Sequence, residues 1–289
     1  MSEQGKSSAP CGGADLHTHS TFSDGTLTPT ELIALAGEVG LDAVALCDHN
    51  TVAGLPEFLD AAAGSGIEAV PGTEFSTEYR GAELHVLGLF IRPDRFAAVR
   101  SRLAELLVRK EAGNIDLCRA LRRAGVALDY GEIKAGTPNG QVNRAVIAAH
   151  MVRLGYCGSV KEAFDRWLSP SRGYYRPPER PDVFETIRFI KSIGAAAVLA
   201  HPFLNLREGE LRDFLGPAMD AGLDGMETVY PKFDRETARL AGELAEEFGL
   251  LSSGGSDFHG ANKPDTPLGC VRVPMEALRA LANRRKTGG

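Results

Sequence analysis

Six of the seven histidines in this chain are gathered into a few short segments, most of which also carry aspartate or glutamate. They are Asp15-Leu16-His17-Thr18-His19-Ser20, Cys47-Asp48-His49-Asn50, Leu84-His85-Val86, Ala200-His201-Pro202 and Gly255-Ser256-Asp257-Phe258-His259-Gly260; Pro71-Gly72-Thr73-Glu74-Phe75-Ser76 adds a glutamate. Imidazole and carboxylate hold zinc, manganese or iron with no need of thiolate. A chain that uses nearly all its histidine this way must fold so that distant segments converge, and the donor set points to metal-dependent hydrolysis. The seventh histidine, His150, reads as a helix surface or packing residue.

The segments have a regular address. Strand-like apolar runs fall at about 14–20, 43–48, 67–76, 83–91, 195–200, 222–229 and 250–256, with helical patterns at 28–40, 181–194, 208–222 and 232–249 between them. The first helix opens with Thr28-Pro29-Thr30-Glu31, a cap followed by a first-turn proline, and closes at Gly40. Nearly all the candidate ligands lie at the C-terminal end of a run or just after it. In a (β/α) barrel those ends meet on one face, where active sites are built. The pattern therefore predicts a mostly parallel sheet curled into an irregular, seven-stranded α/β barrel.

Residues 94–180 break the alternation. One or two arginine-rich amphipathic helices over 94–125 precede a loop at 136–140, helices at 143–155 and 160–168, and a Pro/Arg/Tyr-rich loop at 169–181. The expected organisation is a disordered stretch at 1–12, a barrel from 13–93 and 181–289, and a helical insert at 94–180 capping the C-terminal face. A net charge of −6 argues against binding long nucleic acid, while leaving room for a small anion at a local patch. Five scattered cysteines without a CxxC pair suit a reducing cytoplasm. The first residues lack the apolar core of a signal peptide, and no apolar run has the length of a membrane span. The expectation is a cytoplasmic protein with no membrane partner; the oligomeric state is not written in the sequence.

Alternate residues of a strand share a face, so Asp15, His17 and His19 point the same way and the two histidines can grip one metal together. Asp15, Asp48 and Asn50 are expected to orient ligating histidines rather than to ligate.

Taken together, Asp15-Leu16-His17-Thr18-His19-Ser20, Asp48-His49-Asn50, Gly72-Thr73-Glu74, Ala200-His201-Pro202 and Gly255-Ser256-Asp257-Phe258-His259-Gly260 resemble the polymerase and histidinol phosphatase (PHP) superfamily, and within it the TrpH-like branch of stand-alone phosphoesterases. The resemblance is strong over residues 13–92 and 182–270 and weak over the insert. It implies a distorted (β/α)7 PHP barrel holding two to three divalent metal ions, manganese, iron or zinc. It further implies that His17, His19, Glu74 and Asp257 hold a first metal, that Glu74 bridges to a second with His85 and His201, and that Asp24, His49 and His259 hold a third.

Three divalent cations carry about +6, three carboxylates return about −3, and a hydroxide held by Glu74, Asp257 and His201 through the metals leaves about +2. That surplus suits a phosphate dianion. On the substrate side, Arg144 lies in a segment resembling the family's Arg-Pro-His-Ile-Ala, while Arg172 and Arg176 flank Gly173-Tyr174-Tyr175 in a loop resembling Arg-Gly-x-x-Tyr-Val-Pro. Tyr230 and Lys232 follow a strand-like run. Two departures, Val146 for the family's histidine and Ala149 for its arginine, fall on this side and point to a substrate of its own.

The expected activity is hydrolysis of a phosphate monoester of a small metabolite, nucleotide or nucleoside in kind. Its alternatives are 5′→3′ exonuclease action on short RNA or removal of phosphate from a nucleoside 3′,5′-bisphosphate. Histidinol phosphate fits less well, because of the large insert. The complete ligand set argues against a non-catalytic metal-binding scaffold.

Overall fold

Each apolar run becomes a strand. In the computed structural model, which describes residues 12–137, 142–176 and 179–285, seven strands form one sheet in chain order: β1 (Ala14–Thr18), β2 (Ala43–Leu46), β3 (Glu68–Tyr79), β4 (Ala82–Leu89), β5 (Ala196–Leu199), β6 (Gly225–Val229) and β7 (Leu251–Gly254). The short strands β2 and β5 are continuously apolar because both of their faces are covered. Along β2, Val44 and Leu46 pack outward under helices, while Ala43 and Ala45 face an inner cluster with Leu16, Val70, Leu87 and Val198. Small alanines suit the inside of a tightly curled sheet, and Leu278 and Leu281 of helix α10 (Met275–Asn283) pack into that inner cluster. The edges of the sheet meet beyond β7, where Thr18 pairs with Phe258.

On the outer side lie α1 (Pro29–Glu38), α2 (Leu55–Ala62), α7 (Val183–Ser192), α8 (Glu208–Ala221) and α9 (Arg235–Glu247). Helix α1 has the cap its sequence calls for: Thr28 Oγ1 accepts from Glu31 N at 3.2 Å, and Thr28 N donates back to Glu31 Oε2 at 2.8 Å.

The sheet is parallel except around β4, which runs antiparallel to both neighbours. A crossover helix cannot fit between Tyr79 and Ala82. Instead Arg80 and Gly81, at φ 49° and 83°, make a two-residue hairpin turn. Because β4 is reversed, its N-terminal half lies at the rim where the other strands end. His85 therefore reaches the common face from the beginning of its strand, an exception to the C-terminal rule read from the sequence.

Residues 94–180 carry α3 (Phe96–Arg123), α4 (Tyr130–Ala135), α5 (Arg144–Arg153) and α6 (Val160–Ala163), the last running into a π turn over Phe164–Leu168. Leu117, Leu121, Ile147, Met151 and Leu168 make a second apolar core there. The single long helix α3 serves both cores: Phe96, Val99 and Leu103 pack into the barrel, its second half into the insert. The helices α2, α4 and α10 were not anticipated. The expected disorder at 1–12 lies outside the described residues apart from Gly12, as does most of the 136–140 loop. Among the described residues no helix is long and apolar enough to cross a membrane.

Candidate metal centre

Strand alternation turns Asp15, His17 and, just past the end of β1, His19 to one face; all three are fully buried. The chain then folds back sharply, and Asp48 after β2 fixes that turn. Its carboxylate accepts from Ser20 N at 2.8 Å and from the hydroxyls of Ser20 and Ser23 at 2.6 Å each. The turn carries Asp24 to 3.8 Å from both His19 Nδ1 and His49 Nε2. Asn50, in the left-handed region at φ 52°, exchanges side-chain hydrogen bonds with Ser76 of β3 at 2.9 and 3.0 Å. Asp15 accepts from Ser256 N and Gly269 N, both at 2.9 Å, tying β1 to the loop that bears Asp257 and His259. Asp15, Asp48 and Asn50 thus orient the cluster through backbone and hydroxyl groups. At Gly255 a Cβ would lie 2.5 Å from His17 N, so only glycine lets this loop pass against β1.

Glu74, fully buried, stands at the centre. Its Oε1 lies 2.7 Å from His85 Nδ1 and 3.1 Å from His201 Nε2, and its Oε2 lies 3.0 Å from His49 Nδ1 and 3.3 Å from Nε2 of both His17 and His19. Asp257 Oδ1 sits 3.3 Å from His19 Nε2, and Asp24 Oδ1 sits 3.2 Å from His259 Nε2. Four overlapping groups bring ligand atoms within 4.8 Å of one another: His19, Asp24, His49 and His259; His17, His19 and Asp257; His17, Glu74 and His201; His49, Glu74 and His85. All nine residues singled out from the sequence fall in them. His85 and His201, which the resemblance assigns with Glu74 to a second metal, both lie against Glu74 Oε1.

Whether these residues suit a metal is answered by their unmet bonding. Ten buried side-chain polar atoms lack a hydrogen bond among the described residues, and six belong here: His17 Nε2, His19 Nε2, Asp24 Oδ1, His49 Nδ1, Glu74 Oε2 and His259 Nε2. Each such atom costs about 1–3 kcal/mol, so six facing one another call for a common cationic partner, and the donor set fits divalent metal ions.

Protonation tells the same story. Burial alone would lower the pKa of His19 and His85, but the Asp257 and Glu74 carboxylates raise His19 to about 9, and Glu74 and Glu83 raise His85 to about 10. Burial would raise Glu74, yet His49, His85 and His17 hold it well below the usual carboxylate range. Ligation needs neutral imidazole, so metal uptake at pH 7 is expected to release protons. Calorimetric titration with manganese in buffers of different ionisation enthalpy checks this: the measured heat should depend on the buffer, and a buffer-independent heat would contradict it.

Sequence reading missed Glu227 and Lys263. Glu227 on β6 is fully buried; its Oε1 sits 2.9 Å from His17 Nδ1 and its Oε2 accepts from the His201 backbone N–H at 2.6 Å. It thereby aims His17 Nε2 at Glu74 and holds His201 at φ 29°, a costly conformation for a residue with a Cβ. Asp257, at φ 50°, has its Oδ2 taken by Tyr230 OH and Lys263 Nζ, both at 2.8 Å, which leaves Oδ1 to the histidines. A signal for Glu227 was available, since it is a lone acid in the middle of a buried strand. Lys263 lies in irregular chain and had none.

A cavity of about 430 Å³ opens from this cluster toward the insert. Arg144, Tyr230 and Lys232 line it, as do Lys110, Tyr175, Arg180 and Lys263. The Arg144 guanidinium stacks 4.4 Å over the Tyr175 ring. Arg172 and Arg176 do not line the cavity. A left-handed turn at Gly173 buries Tyr175 and leaves the two arginines exposed to either side. Val146 packs against the insert core and Ala149 is exposed, so neither departure from the family motif lines the cavity. His150 is a packing residue, 2.7 Å from Arg153.

Comparison with known proteins agrees with this geometry. The PHP domain model matches residues 15–168. A 5′-3′ exoribonuclease of Haemophilus influenzae is 34 % identical, over 85 % of this chain and 89 % of its own. A 3′,5′-nucleoside bisphosphate phosphatase of Chromobacterium violaceum is 31 % identical, over 85 % and 86 %. Among solved structures, one described as a metal-dependent phosphoesterase from Bifidobacterium adolescentis superposes with a TM-score of 0.86 at 27 % identity, covering 96 % of this chain and 98 % of that one.

Proposed function

The chain belongs to the PHP domain family and is a metal-dependent phosphoesterase; from that premise we propose that it hydrolyses a phosphate ester of a small nucleotide-like compound at the cluster centred on Glu74. The observation that carries this reading is the convergence of six orphaned buried atoms, Glu74 Oε2 among them, at the floor of a cavity of nucleotide size. His17, His19, Asp24, His49, Glu74, His85, His201, Asp257 and His259 would hold two to three divalent ions, and manganese, iron and zinc all suit such donors. When bound, the ions supply the Lewis acidity and the positive charge that phosphoester hydrolysis needs.

The chain's own side chains do the rest. Glu227 fixes the tautomer of His17, while Tyr230 and Lys263 hold one oxygen of Asp257 so that the other faces the histidines. Arg144, stacked on Tyr175, presents positive charge from the insert wall. Lys110 on α3 adds a second such charge, its pKa lowered by burial. The insert, read as a cap over residues 94–180, contributes Lys110, Arg144 and Tyr175 to the cavity wall. A cytoplasmic setting suits the unpaired Cys47, Cys118, Cys157 and Cys270.

A second reading, stepwise cleavage of short RNA, is favoured by the exoribonuclease likeness and by the position of Val146 and Ala149 away from the cavity. A nucleoside 3′,5′-bisphosphate and a 5′-phosphorylated RNA trimer, offered separately to the manganese-loaded protein, divide the two. Inorganic phosphate from the bisphosphate with an intact trimer supports the first. Mononucleotides released in order from the trimer replace it with the second.

A further inference from the structure

Glu83 stands two residues before His85 on β4, on the same face of the strand. Its two oxygens serve different partners: Oε1 lies 3.2 Å from His85 Nε2, and Oε2 accepts from the Arg180 guanidinium at 2.7 Å. Arg180 comes from the segment that leaves the insert, and that segment is pinned to the barrel next door, where Glu78 N donates to Pro181 O at 3.0 Å. The Arg180 side chain is only 17 % exposed and lines the cavity beside Glu83 and His85.

An exposed pair of this kind would contribute little. Here backbone and side chain are both tethered, so the guanidinium is fixed at the cavity wall. Arginine offers five N–H donors in a planar fork, and the bond to Glu83 leaves part of that fork for a ligand. Arg144 lines the same cavity and adds to its positive charge.

We propose that Arg180 is a specificity-determining residue that binds a phosphate oxygen of the substrate beside His85, with Glu83 as the residue that aims it. The inference rests on the phosphoesterase reading and deepens it. A guanidinium fork matches phosphate geometry, and one already held in place loses little freedom on binding.

The test uses the full-length, manganese-loaded protein with inorganic phosphate as the probe, comparing wild type with Arg180→Met and Arg180→Lys. Binding is read by calorimetry, alongside KM and kcat on the best substrate and the manganese content. Arg180→Met should weaken phosphate binding and raise KM together by about tenfold or more, the scale of a charge-assisted hydrogen bond. Its kcat and manganese content should change little, and Arg180→Lys should fall between. Unchanged phosphate binding in Arg180→Met overturns the proposal. So does a loss of activity that follows a loss of manganese, because Arg180 would then act on His85 through Glu83. A wild type that binds phosphate but hydrolyses no ester overturns the phosphoesterase reading instead, and the calorimetric comparison still decides whether Arg180 holds the anion.

Discussion

Replacing Glu74 with glutamine is expected to remove nearly all turnover while leaving the barrel folded. Five imidazoles approach this one carboxylate within 3.3 Å, on both of its oxygens. A neutral amide takes away the charge that gathers the metals and offers N–H donors to nitrogens that need an acceptor or a cation. Lewis-acid catalysis supplies several kcal/mol of transition-state stabilisation, so kcat/KM should fall by about a thousandfold or more. The fold should survive, because glutamine keeps the side chain's shape and the imidazoles left without a counter-charge can shed their protons and stay buried as neutral groups. Steady-state kinetics, metal analysis and circular dichroism read the three parts separately. Wild-type metal content with wild-type activity in Glu74→Gln would remove Glu74 from the centre.

Glu227→Gln should give the next largest effect, although this residue is expected to touch neither metal nor substrate. The glutamate accepts twice, from the His17 ring and from the His201 backbone. An amide can accept at only one end. If its oxygen keeps the His201 N–H, its NH₂ faces His17 Nδ1 and drives the proton to Nε2, the atom that points at Glu74. If it flips, two donors meet at His201, whose backbone is already strained. Either arrangement leaves a buried group mispaired, at about 1–3 kcal/mol. Metal affinity should fall by about 10–100-fold, as for other residues that orient ligating histidines. Titration with manganese gives the affinity, and the nitrogen NMR shifts of His17 report its tautomer. An unchanged affinity with an unchanged tautomer would mean that Glu227 only fills space.

These two residues also mark how far the sequence can be read. Glu74 was legible because a metal centre demands a few residue types, and those types stood at the ends of apolar runs; the strand pattern then placed His17, His19, Asp257 and His259 with it. Glu227 shows locally only as a lone acid in a buried strand; its role was not legible because its partners come from β1 and from the loop after β5. The reversal of β4 was hidden for a related reason, since alternation in a strand is the same in either direction and only the two-residue turn at Arg80 and Gly81 decides it.

The substrate side was the least legible. Arg144 reaches the cavity, but Arg172 and Arg176 turn outward, and Arg180 stands at the wall in their place. These residues lie in irregular chain, where no period fixes which way a side chain points. Helix α3 shows the same limit at a boundary: a break in the strand–helix pattern at 94 marks where the alternation stops, while its side chains stay in the barrel core as far as Leu103.

The central claim is that this chain hydrolyses phosphoesters with metals held around Glu74. The measurement that tests it most directly is phosphate release from a panel of nucleoside 5′-, 3′- and 3′,5′-bisphosphates, sugar phosphates and histidinol phosphate, by protein stripped with chelator and then reloaded with manganese. One substrate should reach a kcat/KM above about 10⁴ M⁻¹s⁻¹ on reloading, an ordinary enzyme value, and fall to background on stripping. A protein that takes up manganese at the cluster yet releases phosphate from every member of the panel at the uncatalysed rate would contradict it.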